Sequence, residues 1–384
     1  MVCTGCALLC DDIRVEENDC RHACRIGDAH ITSTAQIEAM VNQSPCDTDA
    51  AIKSAAEILM SAEKPVFVGF GNSVTEAQAT GIELAEKVGA EIKTFHTGIF
   101  DDILDGRVKT CTLPEVRDYA DVIVFLGCDP MNTHPRLLSR YAYYPRGEKR
   151  QHGWEEDRTA ITIDLRFSHT ASICKEAYTI DPNRQIEFMD ALMDALSNKV
   201  PKTTYDKKRI LKLAGKLKKA EFGVIFAGTS APPRDATIRL MDRLNESSDF
   251  RLLSLAPGYN LRSIAEQLRQ LHNRPGDDRD GSSDGSGNGG GTNLHEADCI
   301  LCLGFDLMNS LPAHGINGKM IVIDPNDTLT SRYADVVIPC AAGGIDAAGS
   351  AVRMDGEPVE LPLIRESERL SDGAILKRLL EVVR

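Results

Sequence analysis

The sequence predicts an α/β protein in which a small N-terminal cysteine-rich module precedes two related Rossmann-like domains with parallel sheets. Three observations carry this expectation. Five cysteines crowd the first 24 residues, short apolar runs ending in glycine alternate with amphipathic stretches, and the second half of the chain repeats motifs of the first. Short continuous apolar runs bounded by turn residues read as strands buried on both faces, the habit of parallel sheets covered by helices.

The opening MVCTGCALLCDDIRVEENDCRHAC sets Cys3, Cys6, Cys10 and Cys24 in a Cys-x2-Cys-x3-Cys-x13-Cys pattern, with Cys20 as a further thiol. Three closely spaced thiols and a fourth returning after a loop can wrap one compact inorganic core. A [4Fe–4S] cluster is the leading reading, because short first spacings with one distal ligand suit four-thiolate ligation. Zinc is the alternative, although structural zinc sites more often pair two Cys-x2-Cys units. Free thiols are the third reading.

The length of 384 residues suffices for two or three domains, and 42% hydrophobic with 26% charged residues describes a soluble globular chain. A net charge of −13 disfavours nucleic acid and anionic membrane as partners, since both require positive surface. The sequence shows no basic-apolar leader and no apolar run long enough to span a bilayer. Twelve cysteines in such a chain point to metal binding or buried thiols in a reducing compartment, so the expected location is the cytoplasm.

After the cysteine module, residues 46–61 carry Ile52, Ala55, Ala56, Leu59 and Met60 at helical intervals behind Asp47 and Thr48, which are suitable N-caps. KPVFVGFGNS then reads as a buried strand and Gly-rich turn, followed by the helix TEAQATGIELAEKVGA, closed by Gly89. Gly69 and Gly71, with Asn72 beside them, could admit a phosphate to the backbone, but close packing of helix on strand explains a Gly-x-Gly equally well. ADVIVFLGCDPMNTHPR is a second buried strand with a polar turn, and ITIDLRFSHTA a third, ending in Asp164. Ligands of open α/β sheets collect outside the carboxyl ends of strands. That makes Asp129, Asn132, His134, Arg136 and Asp164 candidates for reading a nucleotide-like ligand, with helix capping as the plainer role for each. Arg166 and Arg332 are candidate phosphate contacts, with surface ion pairing as the alternative.

The second half then repeats the first. AEFGVIFAGTSAPPRDATIRLMDRL echoes the strand, turn and helix of residues 64–89, and ADCILCLGFDLMNS echoes ADVIVFLGCDPMN, so that Asp306 and Asn309 answer Asp129 and Asn132. MIVIDPNDTLTSRYADVVIP answers ITIDLRFSHTASICKEAYTID, setting Asp324 opposite Asp164. Two similar domains whose turns serve one large ligand with two similar ends follow from this. Residues 274–293 are Gly-, Ser- and Asp-rich and are expected to form a disordered surface insertion. KTTYDKKRILKLAGKLKKA and LSDGAILKRLLEVVR read as amphipathic surface helices. The expected divisions are 1–46 for the cysteine module, 47–200 and 201–340 for the two α/β domains, and 341–384 for a segment packing back on them.

VCTGCALLCDDI, ACRIG, ADVIVFLGCDPMNTHPRLLSR and ADVVIPCAAGGIDAAGSAVRMDGEPV together resemble the B subunits of the formylmethanofuran dehydrogenase family, within the molybdopterin oxidoreductase superfamily. The resemblance covers most of the chain. It implies two pterin guanine dinucleotides around tungsten or molybdenum in the two α/β domains, and a [4Fe–4S] cluster on Cys3, Cys6, Cys10 and Cys24. It also implies partner subunits of the same complex, including a separate one supplying the pterin-binding domain of larger relatives.

Two positions depart from the family pattern. A cysteine or selenocysteine followed by histidine ligates the metal in redox-active members, on the loop after the strand beginning just past Gly89 and Ala90. GAEIKTFHTGIFDDI aligns His96 with that histidine but places Phe95 at the ligand position, and a phenyl ring has no lone pair for a metal. The family's catalytic arginine precedes Gly-His-Tyr-Asn; here LAPGYN puts Ala256 in its place. The expectation is therefore the formyltransferase/hydrolase branch, in which the B-type chain is a non-redox component of one-carbon metabolism. The chemistry of that branch sits on A- and C-type hydrolase chains and a D-type formyltransferase chain. The alternative is an active tungsten or molybdenum dehydrogenase, with His96 as the catalytic residue polarising or protonating the formyl carbonyl. A free-standing cluster or zinc protein is the third reading.

Overall fold

Strand order, more than strand content, sets where a ligand can sit in this chain. The computed structural model describes residues 1–16, 19–33, 37–272, 294–311 and 316–383. The insertion expected at 274–293 lies outside the described residues. The chain divides into two units: Met1–Thr97 with Gly258–Arg353 and Pro358–Arg384, and Gly98–Pro257 with Met354–Glu357.

In the second unit, five parallel strands run in the order Phe250–Leu255, Gly223–Gly228, Val122–Leu126, Thr159–Asp164 and Glu176–Thr179. Val122, Val124, Leu126, Ile161 and Ile163 face a core completed by Phe188, Leu192, Leu213 and Leu240 from the covering helices. The helix Lys207–Leu217 buries Ile210, Leu213, Ala214 and Leu217, while Lys212 and Lys216 both pair with Glu176 at 2.7 Å. This is the amphipathic helix the sequence predicts.

The first unit carries a seven-stranded sheet ordered Ser44–Pro45, Met40–Val41, Val336–Pro339, Lys319–Asp324, Cys299–Leu303, Pro65–Gly69 and Glu91–Lys93. The five strands from Val336–Pro339 to Glu91–Lys93 are parallel, and the two short edge strands are antiparallel. Asp47 caps the helix Thr48–Ser61 by accepting from Ala50 N at 2.7 Å, and Gly89, at φ +68°, closes Thr75–Val88. The C-terminal helix Asp372–Val382 packs on these two helices, with Lys87 Nζ donating to Leu380 O at 2.9 Å.

The linear boundaries expected at 200 and 340 do not coincide with these units. Gly223–Gly228 pairs with Val122–Leu126, and Pro65–Gly69 pairs with Cys299–Leu303. The repeated halves are therefore exchanged. Asp121 accepts from Glu221 N and Phe222 N at 2.9 Å each, and its counterpart Asp298 accepts from Glu63 N and Lys64 N at 2.7 and 3.0 Å. Each aspartate anchors the entry to a strand distant in sequence. The cysteine module belongs to the first unit, where Thr4 Oγ1 donates to Gly343 O at 3.0 Å.

Strand order reverses between Val122–Leu126 and Gly223–Gly228 in one unit and between Pro65–Gly69 and Cys299–Leu303 in the other. Such switch points open crevices at the carboxyl ends of the strands.

Candidate functional site

The two switch points are built from the same parts. Gly127 and Gly304 end their strands at φ +59° and +57°, and their amides donate to Ile163 O and Ile323 O at 2.8 and 2.9 Å. Two residues on, Asp129 and Asp306 are each clasped by a threonine from the neighbouring loop. Thr170 donates to Asp129 Oδ1 from its amide at 3.1 Å and its hydroxyl at 2.6 Å, and Thr330 does the same to Asp306 Oδ1 at 3.0 and 2.6 Å. The same hydroxyls accept from Met131 N at 3.1 Å and Met308 N at 2.9 Å. The repeat visible in the sequence is therefore a repeat of hydrogen bonds.

Each clasped aspartate has a second carboxylate beside it at the end of the adjacent strand. Asp164 accepts from Leu165 N at 2.7 Å and Asp324 from Asn326 N at 2.8 Å, and both side chains are buried. Burial pushes Asp324 up to about 6, helped by the charge of Asp306, and raises Asp164 in the same way. Burial acts on Asp129 too, but the hydrogen bonds from Thr170 and Asn132 outweigh it and hold this carboxyl below its ordinary value. Paired carboxyl groups accept from hydroxyl and amine groups and repel phosphate, so these turns suit the sugar or base edge of a nucleotide.

The remaining predicted residues fall in different places. Asn132 Nδ2 donates to Asp129 Oδ2 at 2.6 Å and lies 2.9 Å from His169 Nδ1, which puts it in the second unit's site. His134 is buried, its Nδ1 lies 3.0 Å from Thr133 Oγ1, and its Nε2 has no partner among the described residues. Burial pulls its pKa down to about 4, so the ring is neutral at physiological pH. Arg136 is half-buried, its carbonyl accepting from Arg140 N at 2.9 Å. Arg166 is exposed next to Asp164, and Arg332 pairs with Asp327 at 2.9 Å, the surface ion pair. In the first unit, Asn309 is exposed and Asn72 Nδ2 donates to Gly304 O at 2.9 Å. A Cβ on Gly69 would meet Leu303 O at 2.4 Å, and one on Gly71 would meet the Leu261 side chain at 2.7 Å. Both glycines thus make room for the chain's own atoms.

His96 is exposed on the loop after Glu91–Lys93, in the left-handed conformation at φ +66°, and desolvation holds its ring below the ordinary imidazole value. Phe95 turns the other way. Its ring stacks on Phe305 at 5.1 Å with 12° between planes, against the core of the first unit, and Phe305 itself sits over Gly69. The loop position aligned with the metal ligand is therefore an apolar contact at the first unit's switch point. Of the LAPGYN segment, Ala256 is buried, and Asn260 ties the turn after Pro65–Gly69 in place. Its Nδ2 donates to Ser73 O at 2.9 Å, and its Oδ1 accepts from Val352 N at 2.8 Å.

The N-terminal thiols gather in one neighbourhood. Cys3 N donates to Cys10 O at 2.9 Å, and Leu9, at φ +42°, closes a turn onto Cys6 O. Cys24 caps the helix Arg25–Thr32, its Sγ accepting from Gly27 N at 3.5 Å. A Cβ on Gly27 would meet Cys3 Sγ at 2.9 Å and Cys24 Sγ at 3.9 Å, so glycine is needed where these two sulfurs approach the backbone. Burial, and then the charges of Cys10, Cys3 and Cys24, drive the Cys6 thiol well up. Four neighbouring thiols are the donor type that soft metals take. Among the described residues no group of three or more His, Cys, Asp or Glu side chains closes on a single metal ion.

Thr170, Thr330, His169 and Phe305 are parts of these sites that sequence reasoning missed. The signal was present: each threonine stands six residues after its strand-end aspartate, 170 − 164 and 330 − 324.

No family model matches the chain. It is 31% identical over 428 residues to the B subunit of tungsten-containing formylmethanofuran dehydrogenase 2 from Methanocaldococcus jannaschii, and 28% identical over 431 residues to the protein of the same description from Methanococcus maripaludis. Each match covers 100% of this chain and 98% of the relative. Among solved structures, the fold is similar to a chain of the formyltransferase/hydrolase complex FhcABCD from Methylorubrum extorquens in complex with methylofuran, with a TM-score of 0.64 and 21% identity over 90% of this chain and 98% of that one. With duplicated switch-point turns, an N-terminal set of gathered thiols and full-length similarity to these relatives, the chain belongs to the family of formylmethanofuran dehydrogenase B subunits.

Proposed function

We propose that this chain is a non-redox subunit of a multisubunit complex of one-carbon metabolism, which transfers a formyl group from its carrier and hydrolyses it to formate. The transfer and hydrolysis chemistry resides on partner subunits of the hydrolase and formyltransferase types. The single observation that carries this reading is Phe95, whose ring is committed to the stack with Phe305 and offers no donor atom to a metal. The fold shared with a chain of a formyltransferase/hydrolase complex supports it.

The donor sets fit the implied cofactors unequally. Cys3, Cys6, Cys10 and Cys24 are the residues that would hold a [4Fe–4S] cluster, which in a subunit without redox work would be structural, next to the hydrogen bond from Thr4 Oγ1 to Gly343 O that ties the N-terminal loop. Asp129, Asn132 and Asp164, with Asp306 and Asp324 in the other unit, would accept hydrogen bonds from the nucleotide ends of pterin guanine dinucleotides. The protein ligand to tungsten or molybdenum does not fit, since Phe95 stands at its place. All twelve cysteines are free thiols, in keeping with a place in the cytoplasm. Among the described residues no helix is long and apolar enough to cross a membrane.

The second reading is an active dehydrogenase, favoured by the tungsten-containing description of both curated relatives. The purified complex, given the formyl carrier, separates the two. Formate release with no reduction of an added viologen supports the non-redox reading, and viologen reduction stoichiometric with formyl consumption overturns it.

A further inference from the structure

The two switch points share their hydrogen bonds but not the side chains around them. In the first unit Phe305 follows Gly304, and its ring stacks on Phe95 at 5.1 Å over the end of Pro65–Gly69, where a Cβ on Gly69 would meet Phe305 Cβ at 2.5 Å. In the second unit Cys128 stands in that place. A Cβ on Gly228 would meet Cys128 Cβ at 2.4 Å, and the thiol donates to Phe226 O at 3.3 Å. The second residue after the edge strand is Phe95 in the first unit and Pro257 in the second.

The difference recurs just beyond the strand-end carboxyl groups. Asn326, which answers Arg166, turns its amide back onto Asp324 Oδ1 at 2.8 Å. Asp327, which answers Phe167, is tied to Arg332 at 2.9 Å and to Ser331 Oγ at 3.1 Å. Phe167, by contrast, is 67% exposed, and Arg166 is exposed beside Asp164. The first crevice therefore gathers Asp306, Asp324 and Asp327 next to an aromatic pair, with Arg332 held by Asp327. The second sets a guanidinium and an uncovered ring face beside Asp129 and Asp164. An anionic ligand carrying a flat base is repelled by the first arrangement and met by the second.

We infer that the duplicated crevices are unequal, and that only the second unit's takes a nucleotide. The purine lies on Phe167, a phosphate meets the Arg166 guanidinium, and Asp129 and Asp164 accept from donors of the sugar or base edge. The first unit's crevice is closed by its own side chains. The two nucleotide ends that the family implies therefore do not both fit this chain. The inference rests on the reading of the strand-end aspartates as nucleotide contacts.

The test uses the full complex from co-expressed subunits. Labelled guanosine diphosphate bound in equilibrium dialysis, added to any purine nucleotide released by acid denaturation, should come to one per copy of this chain. Phe167→Ala should raise the Kd at least tenfold, with Phe167→Tyr close to wild type. Arg166→Ala should raise it as well and weaken its dependence on salt. The photoreactive 8-azidoguanosine diphosphate should label residues 98–257. Two nucleotides per copy, label within residues 294–333, or a Kd that Phe167→Ala does not move overturns the inference and leaves the strand-end aspartates as nucleotide contacts. No nucleotide bound or released overturns both.

Discussion

Asp324 sits at its strand end at a cost to the fold, and Asp324→Asn should therefore stabilise the first unit. Burial raises this carboxyl from an ordinary 3.8 to about 6. The sign follows from linkage. The native state binds the proton more tightly than the unfolded chain, so the group's contribution is fully present below pH ~4 and is lost as pH rises through ~6. Above that pH the charged form destabilises the fold by ~3 kcal/mol, taking 1.36 kcal/mol per unit. Asparagine keeps the oxygen that accepts from Asn326 N and removes the charge. Hydrogen exchange of the Lys319–Asp324 amides, compared between variant and wild type at each pH, reports this locally. The variant should exchange roughly 100-fold more slowly at pH 8 and equally at pH 4. A variant that exchanges faster at pH 8, or a ratio that does not change between pH 4 and pH 8, would refute the reasoning.

Three further outcomes follow from the second unit. Thr170→Val removes the hydroxyl donor to Asp129 and should cost ~1.5–3 kcal/mol in denaturant unfolding of that unit, with Thr170→Ser restoring most of it. Arg158→Met leaves the buried carbonyls of Arg117, Ala120, Tyr143 and Pro145 without their shared donor, and the unfolding free energy in denaturant should fall by ~3 kcal/mol or more. His134, with its pKa down at about 4, binds its proton more weakly in the folded chain than in the unfolded one. Stability should accordingly fall by ~3 kcal/mol as pH drops from ~6.5 to ~4, and His134→Gln should flatten that slope.

The repeat was legible because identical residues at matching strand ends do the same job twice. Asp129 with Asp164 and Asp306 with Asp324 were readable from the alignment of two halves of one chain. The partner of each strand was not readable. An apolar run such as VIVFL specifies a strand buried on both faces, but any similar run satisfies it, and the Asp121 and Asp298 hydrogen bonds to amides far away in the sequence become visible only in the fold. His134 illustrates the same limit at the site. Its place in a polar turn suggested ligand contact, whereas the backbone turns the ring inward, a direction set by tertiary packing. Phe95 was recognisable as a missing donor from its place in the sequence. Its stack on Phe305 required the fold, since 210 residues separate the two rings, 305 − 95.

The tungsten and molybdenum content of the native complex, measured by mass spectrometry of the metals against quantified protein, bears on the Phe95 reading without intermediate assumptions. A non-redox subunit predicts neither metal above trace level, with iron near the four atoms per chain that a [4Fe–4S] cluster on Cys3, Cys6, Cys10 and Cys24 would hold. One tungsten or molybdenum atom for each copy of this chain would contradict it.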